Sequence, residues 1–160
     1  MSMVRAMMRR GLMALFVAML GFCAVALAAD QKQPTGPLEL SAGGKTHRFT
    51  VELATTPADM ARGLMNRRSM GANEGMLFDY RREMPGISFW MKNTFIPLDM
   101  LFIKADGTIL NIHERAIPQN ETPIFAAGPV RLVLELNGGT ASRLGIKPGD
   151  RIRHAVLDAH

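Results

Sequence analysis

Between Phe89 and Met100 the chain reads FWMKNTFIPLDM, setting its only tryptophan, Trp90, close to a cation (Lys92), an amide (Asn93), a hydroxyl (Thr94) and a carboxylate (Asp99). Such a grouping suits carbohydrates and other small polar molecules, because the ring offers an apolar face while polar groups fix orientation. Asp99 is flanked by Leu98, Met100, Leu101 and Phe102, and an ionised carboxylate buried there without partners is costly. It needs either a cation or several backbone N–H donors. Arg62, Arg67, Arg68 and Lys92 are the cations at hand, Arg62 being the favoured countercharge. Two arrangements satisfy these demands. One is a ligand pocket walled by Arg62, Trp90, Lys92, Asn93 and Asp99, and the other is an internal ion pair that pins the turn.

Other chemistries have less to work with. A glycosidase-like hydrolase could pair Asp99 with Glu135 or Glu52, if folding set the two carboxyl groups across one bond. No G-x-S-x-G motif is present, so the serine-hydrolase elbow is missing. Met60, Met65, Met70, Met76, Met84, Met91 and Met100, with His47, His113, His154 and His160, could in principle offer soft ligands to copper. Their dispersal among apolar runs suits core filling better, and no H-x-x-x-H or C-x-x-C spacing supports zinc. We therefore expect no metal and no cofactor. Leu144 to Ile152 resembles a loop of peptide-binding PDZ domains, but the carboxylate-binding loop of that fold is missing, which favours a plain glycine turn.

These residues must be positioned by short elements. Apolar runs punctuated by turn signals predict strands at 38–41, 46–53, 75–80, 87–92, 98–104, 108–113, 130–137 and 151–157. In the second of these, Phe49, Val51 and Leu53 alternate with Arg48, Thr50 and Glu52, giving one buried and one wet face. Val130–Asn137 alternates in the same manner. Ala105-Asp106-Gly107 predicts a hairpin. Thr56-Pro57-Ala58-Asp59 supplies a capping hydroxyl, a proline and a first-turn acid, predicting a helix through about Asn66. A shorter helical turn at 140–144 stops at Gly145. The expected fold is a mostly-β, compact sandwich or barrel-like domain with one or two short helices.

The N-terminus has a different character. Arg5, Arg9 and Arg10 precede an apolar run from Leu12 to Leu27 that ends in small residues before Asp30. This is the layout of a Sec-type signal peptide over residues 1–29, cleaved near Ala29. Residues 30–37 then read as a flexible linker and 38–160 as a single domain. The full chain of 160 residues carries 19 basic and 14 acidic side chains, a net charge of +5, and one cysteine. Removing residues 1–29 takes three arginines and Cys23 with it, leaving 131 residues with 16 basic and 14 acidic groups. A cysteine-free mature chain excludes thiol catalysis and disulfides. A nearly balanced charge and a single tryptophan give little to a nucleic-acid groove, so no nucleic-acid partner is expected. The membrane enters only through export, and the expected location is periplasmic or secreted.

Several segments together are recognisable: Val51-Glu52-Leu53-Ala54, Arg62-Gly63-Leu64-Met65, Gly75-Met76-Leu77-Phe78, Phe89-Trp90-Met91-Lys92-Asn93-Thr94 and Ile96-Pro97-Leu98-Asp99-Met100, closing with Leu144-Gly145-Ile146-Lys147-Pro148-Gly149-Asp150. The pattern, running from about Phe49 to Val156, resembles the domain of unknown function 192 family. The resemblance implies a compact, mostly-β, often exported bacterial protein without an established activity, and it transfers no catalytic residues. The functional expectation is an exported, non-catalytic binding or accessory domain for a small polar or saccharide ligand. The alternatives are a cell-envelope hydrolase using Asp99 and a second carboxylate, or an envelope assembly module using an exposed sheet face.

Overall fold

The structure is a computed structural model that describes residues 33–158. The signal peptide expected at 1–29 lies outside the described residues. The elements run β1 (Thr35–Ala42), β2 (Lys45–Ala54), α1 (Pro57–Arg62), β3 (Glu74–Met84), β4 (Ser88–Phe89), β5 (Leu98–Ile103), β6 (Ile109–Ala116), β7 (Ile124–Phe125), β8 (Val130–Asn137), α2 (Thr140–Leu144), β9 (Arg151–Arg153) and α3 (Ala155–Asp158). Seven strands form one sheet in the order β6-β5-β8-β3-β2-β1-β9, and β4 pairs with β7 in a small second sheet. The large sheet curls into a half-barrel. Its two edge strands meet at one end, where Thr108 bridges Arg151 and the Ile109 N–H reaches the Asp150 carbonyl at 2.8 Å. The expected mostly-β fold is therefore present.

Curling gives the sheet two apolar faces. Leu38, Leu40, Phe49, Val51, Leu77, Leu101, Ile109, Leu134 and Ile152 fill the inside of the curl. Met76, Phe78, Met91, Leu98, Met100, Phe102 and Val133 form a second core on the outer face, with Leu64 just beyond α1 packed into it. Every residue of β5 is buried, as are seven of the eight in β8. The alternation in β8 thus does not mark a wet face, because Arg131 and Glu135 are buried as well.

Helix α1 is the crossover that lets β2 and β3 pair in parallel, as such a connection must. Its cap is the expected one: the Thr56 hydroxyl accepts the Asp59 N–H at 3.1 Å. The helix stops at Arg62, earlier than the apolar spacing predicts, because Gly63 turns the chain at φ 47°. Gly145 ends α2 in a left-handed conformation, as expected.

Among the other boundaries that differ from the sequence reading, three have a clear local reason. Strand β1 begins at Thr35 and pairs with β2 from Thr35↔Glu52 onward, inside the stretch read as linker. Pro37 is tolerated there because β9 pairs only with residues 39–41, leaving no ladder bond to lose on that side. The strand expected at 87–92 shrinks to Ser88–Phe89. Asn93 takes φ 52° and the Thr94 N–H bonds the Met91 carbonyl at 3.1 Å, so the polar tail of the tryptophan block is a turn. The last strand ends at Arg153, since the His154 ring accepts the Val156 N–H at 3.2 Å and starts the helical turn α3.

Candidate functional site

The sequence-predicted site residues do not converge. Asp99 is fully buried at the start of β5. Its Oδ1 accepts the backbone N–H groups of Arg115 and Gly139, both at 2.8 Å, and its Oδ2 accepts that of Ala141 at 2.7 Å. Arg115 (φ 50°) and Gly139 (φ 88°) adopt left-handed conformations at this contact. Asp99 thus ties β5 to the irregular end of β6 and to the first turn of α2, meeting its need with backbone donors and not with a cation. Arg62 is turned to Asp59 on its own helix, at 2.9 Å. Asn93 is exposed in the turn, its carbonyl accepting the Asn66 N–H at 2.8 Å. Only Trp90 and Lys92 meet, the Lys92 ammonium lying 5.3 Å from the centre of the indole and 4.0 Å from Glu121.

The site the fold does build lies on the outer face of the sheet. A cavity of about 200 Å³ opens between α1, β3, β4 and β8, lined among others by Leu64, Phe78, Tyr80, Phe89, Trp90 and Glu135. Phe78 and Phe89 meet edge to face with centroids 4.8 Å apart. Trp90 stands at the rim, 47% exposed. Glu135 is 4% exposed, and its Oε2 has no hydrogen-bond partner. Burial drives its carboxyl group up to about 8, so the side chain is protonated at neutral pH. The Tyr80 hydroxyl is raised as well, first by burial and then by the nearby Glu135 charge.

Register explains why the carboxylates separate. Across the sheet, Glu52, Met76, Glu135, Met100 and His113 form one cross-strand row through β2, β3, β8, β5 and β6. Asp99 pairs instead with Leu136, one step along, so it points to the opposite face. Glu52 shares the outer face with Glu135, but both its oxygens are held by the guanidinium of Arg67.

A larger cleft of about 720 Å³ lies at the β9 end, with Asp106, Arg151 and His154 among its lining residues. Arg151 there is already paired with Asp106 at 3.1 Å. The His154 Nε2 also lacks a partner, but it lies against β1, where even a Cβ on Gly36 would come within 2.9 Å. Among the described residues, no group of three or more His, Cys, Asp or Glu is placed to hold a metal ion. No helix among them is long and apolar enough to cross a membrane.

In the sequence Glu135 stands out only as a possible partner for Asp99, and Tyr80 carries no signal of its own. The available signal was Val133: an apolar residue on the supposedly wet side of β8 showed that this side is covered.

Comparison with known proteins adds family and fold. The family model DUF192, described as an uncharacterized ACR, matches residues 38–154. A structure from Sinorhizobium meliloti 1021, described as a "putative transcription regulator", is 48% identical with a TM-score of 0.77, covering 80% of this chain and 99% of its own. A protein of unknown function from Novosphingobium aromaticivorans is 44% identical with a TM-score of 0.75, covering 78% of this chain and 89% of its own. No curated protein matches.

Proposed function

The chain belongs to the DUF192 family of uncharacterised proteins, and from its geometry we propose an exported, non-catalytic binding domain that holds a small polar molecule between Trp90 and Glu135. The observation that carries this reading is Glu135: a buried side chain with an unpartnered oxygen, at a cavity whose rim is the only tryptophan. Natural proteins seldom leave a buried polar atom unpaired without a use for it. The volume, about 200 Å³, falls below the roughly 300–1,000 Å³ of drug-sized sites. It suits one sugar ring or a group of similar size and not an extended chain.

A hydrolytic role has less support. Asp99 faces the other side of the sheet with both oxygens bonded, and Glu52 is neutralised by Arg67. Export rests on the layout of residues 1–29, and its test is the intact mass of protein recovered from the periplasm or medium, expected to begin near Asp30.

The binding test uses Trp90 as its own reporter. Titration with monosaccharides, polyols and small amines should shift Trp90 emission and raise the melting temperature for at least one class, and Glu135→Ala should remove both responses. A panel in which no compound moves either signal would overturn the reading. A second reading, an envelope assembly module, draws on Ile117 and Phe125, which are 66% and 62% exposed beside a cavity of about 340 Å³. Under it, a photocrosslinker at position 125 would capture a defined partner in cells.

A further inference from the structure

We propose that the occupant of the pocket beneath α1 is a small organic ammonium ion, held against the aromatic rings of Tyr80, Phe89 and Trp90 with the Glu135 carboxylate as its counterion. This rests on the binding reading above and gives it a ligand class.

Two features of the cavity point the same way. Phe78, Tyr80, Phe89 and Trp90 all line it, a density of aromatic rings that attracts cations through the negative faces of their π systems. The protein already uses this attraction elsewhere, with the Lys92 ammonium lying over Trp90 and the Arg68 guanidinium over Phe95. The second feature is the buried acid. Glu135 is buried and offers its Oε2 to no donor. A neutral sugar hydroxyl would add only a hydrogen bond to a protonated carboxyl. An ammonium ion would replace the proton itself, forming a charge pair where the low dielectric makes it strong. The exchange balances: one cation enters, one proton leaves Glu135 for solvent, and no bond to carbon changes.

The surrounding charges leave this role open. Of the titratable groups on β3 only the Tyr80 hydroxyl lines the cavity, and Asp79 is paired with Arg131 of β8. On β2, Glu52 is bound to Arg67, and on β6 His113 ends the same cross-strand row at an exposed position. On α1, Asp59 and Arg62 pair with each other, while on the tryptophan turn Lys92 lies near Glu121.

The experiment is calorimetry on the purified protein with choline, its uncharged isostere 3,3-dimethyl-1-butanol, and glucose, with Trp90 fluorescence followed in parallel. At pH 6.5, in two buffers of different ionisation enthalpy, choline should bind with release of about one proton. Its affinity should rise about tenfold per pH unit toward pH 8, then level off. Glu135→Gln, which keeps shape and folding, should weaken choline at least about tenfold and abolish proton release. If the isostere or glucose shifts Trp90 while choline does not, or choline binds the variant equally well, the ammonium assignment falls but the pocket stands as a binding site. If none of the three moves Trp90 and a wider panel also fails, both fall.

Discussion

Asp99 and Glu135 sit on adjacent strands, one register step apart, on opposite faces of the same sheet. Asp99 lies at the end of the inner core, where three backbone N–H groups from β6 and the start of α2 converge on its two oxygens. Glu135 lies under the outer core, where side chains surround it and its Oε2 meets no donor. Local backbone makes the difference. Left-handed turns at Arg115 and Gly139 aim amides at Asp99, whereas the strands flanking Glu135 spend their amides on the ladder. One carboxylate is a fastener, while the other is left with unspent bonding capacity beside a cavity.

The largest effect expected from this contrast is at Asp99. Asp99→Ala strands three N–H donors, two of them in left-handed turns, and should cost about 3–6 kcal/mol. For a domain of this size that lowers the melting temperature by about 10 °C or more. A variant melting within a few degrees of the parent would break the contrast, because Asp99 would then not be the fastener.

Glu135 should give the next largest effect, and of the opposite sign. Between about pH 4.5 and 8 the native chain holds a proton on Glu135 that the unfolded chain has released. Stability therefore falls as pH rises through that window, by up to about 4 kcal/mol. Glu135→Gln removes this loss, so above pH 8 the variant should be more stable than the parent, with the two converging near pH 4.5. Denaturant melts at pH 5, 7 and 8.5 check this, and parallel pH profiles would mean that Glu135 is not a buried acid.

The smallest effect belongs to Arg62, which the sequence proposed as countercharge to Asp99. Its half-exposed pair with Asp59, three residues away on one helix, should be worth about 0.3–0.5 kcal/mol. Arg62→Ala should shift the melting temperature by no more than a degree or two. A loss as large as that of Asp99→Ala would tie the two residues together after all.

Much of the fold was legible locally. The cap at Thr56, the stop at Gly145 and the hairpin at Asp106 depend on a few neighbouring residues, and the structure places each as expected. The need of Asp99 for partners was legible too, from its apolar flanks. Which partners answer it was not, because Gly139 and Ala141 are some forty residues away and meet it only through sheet order. The site was half legible. Trp90 and Lys92 are close in sequence and stay together, but Tyr80 and Glu135 join Trp90 only because β3 and β8 are neighbours beneath α1.

By itself, then, the sequence determined a mostly-β domain with its caps and turns, the family resemblance, and an acid at position 99 that could not be buried alone. Those are properties of period, of composition and of residues within one turn of each other. The tertiary structure decided which faces of β5 and β8 are covered, and so which acid is bonded and which is left beside a cavity. In a sheet, a one-residue step along a strand reverses the face. That reversal, invisible until strand order is known, separates a carboxylate that holds the fold from one whose Oε2 is left without a partner beside a cavity.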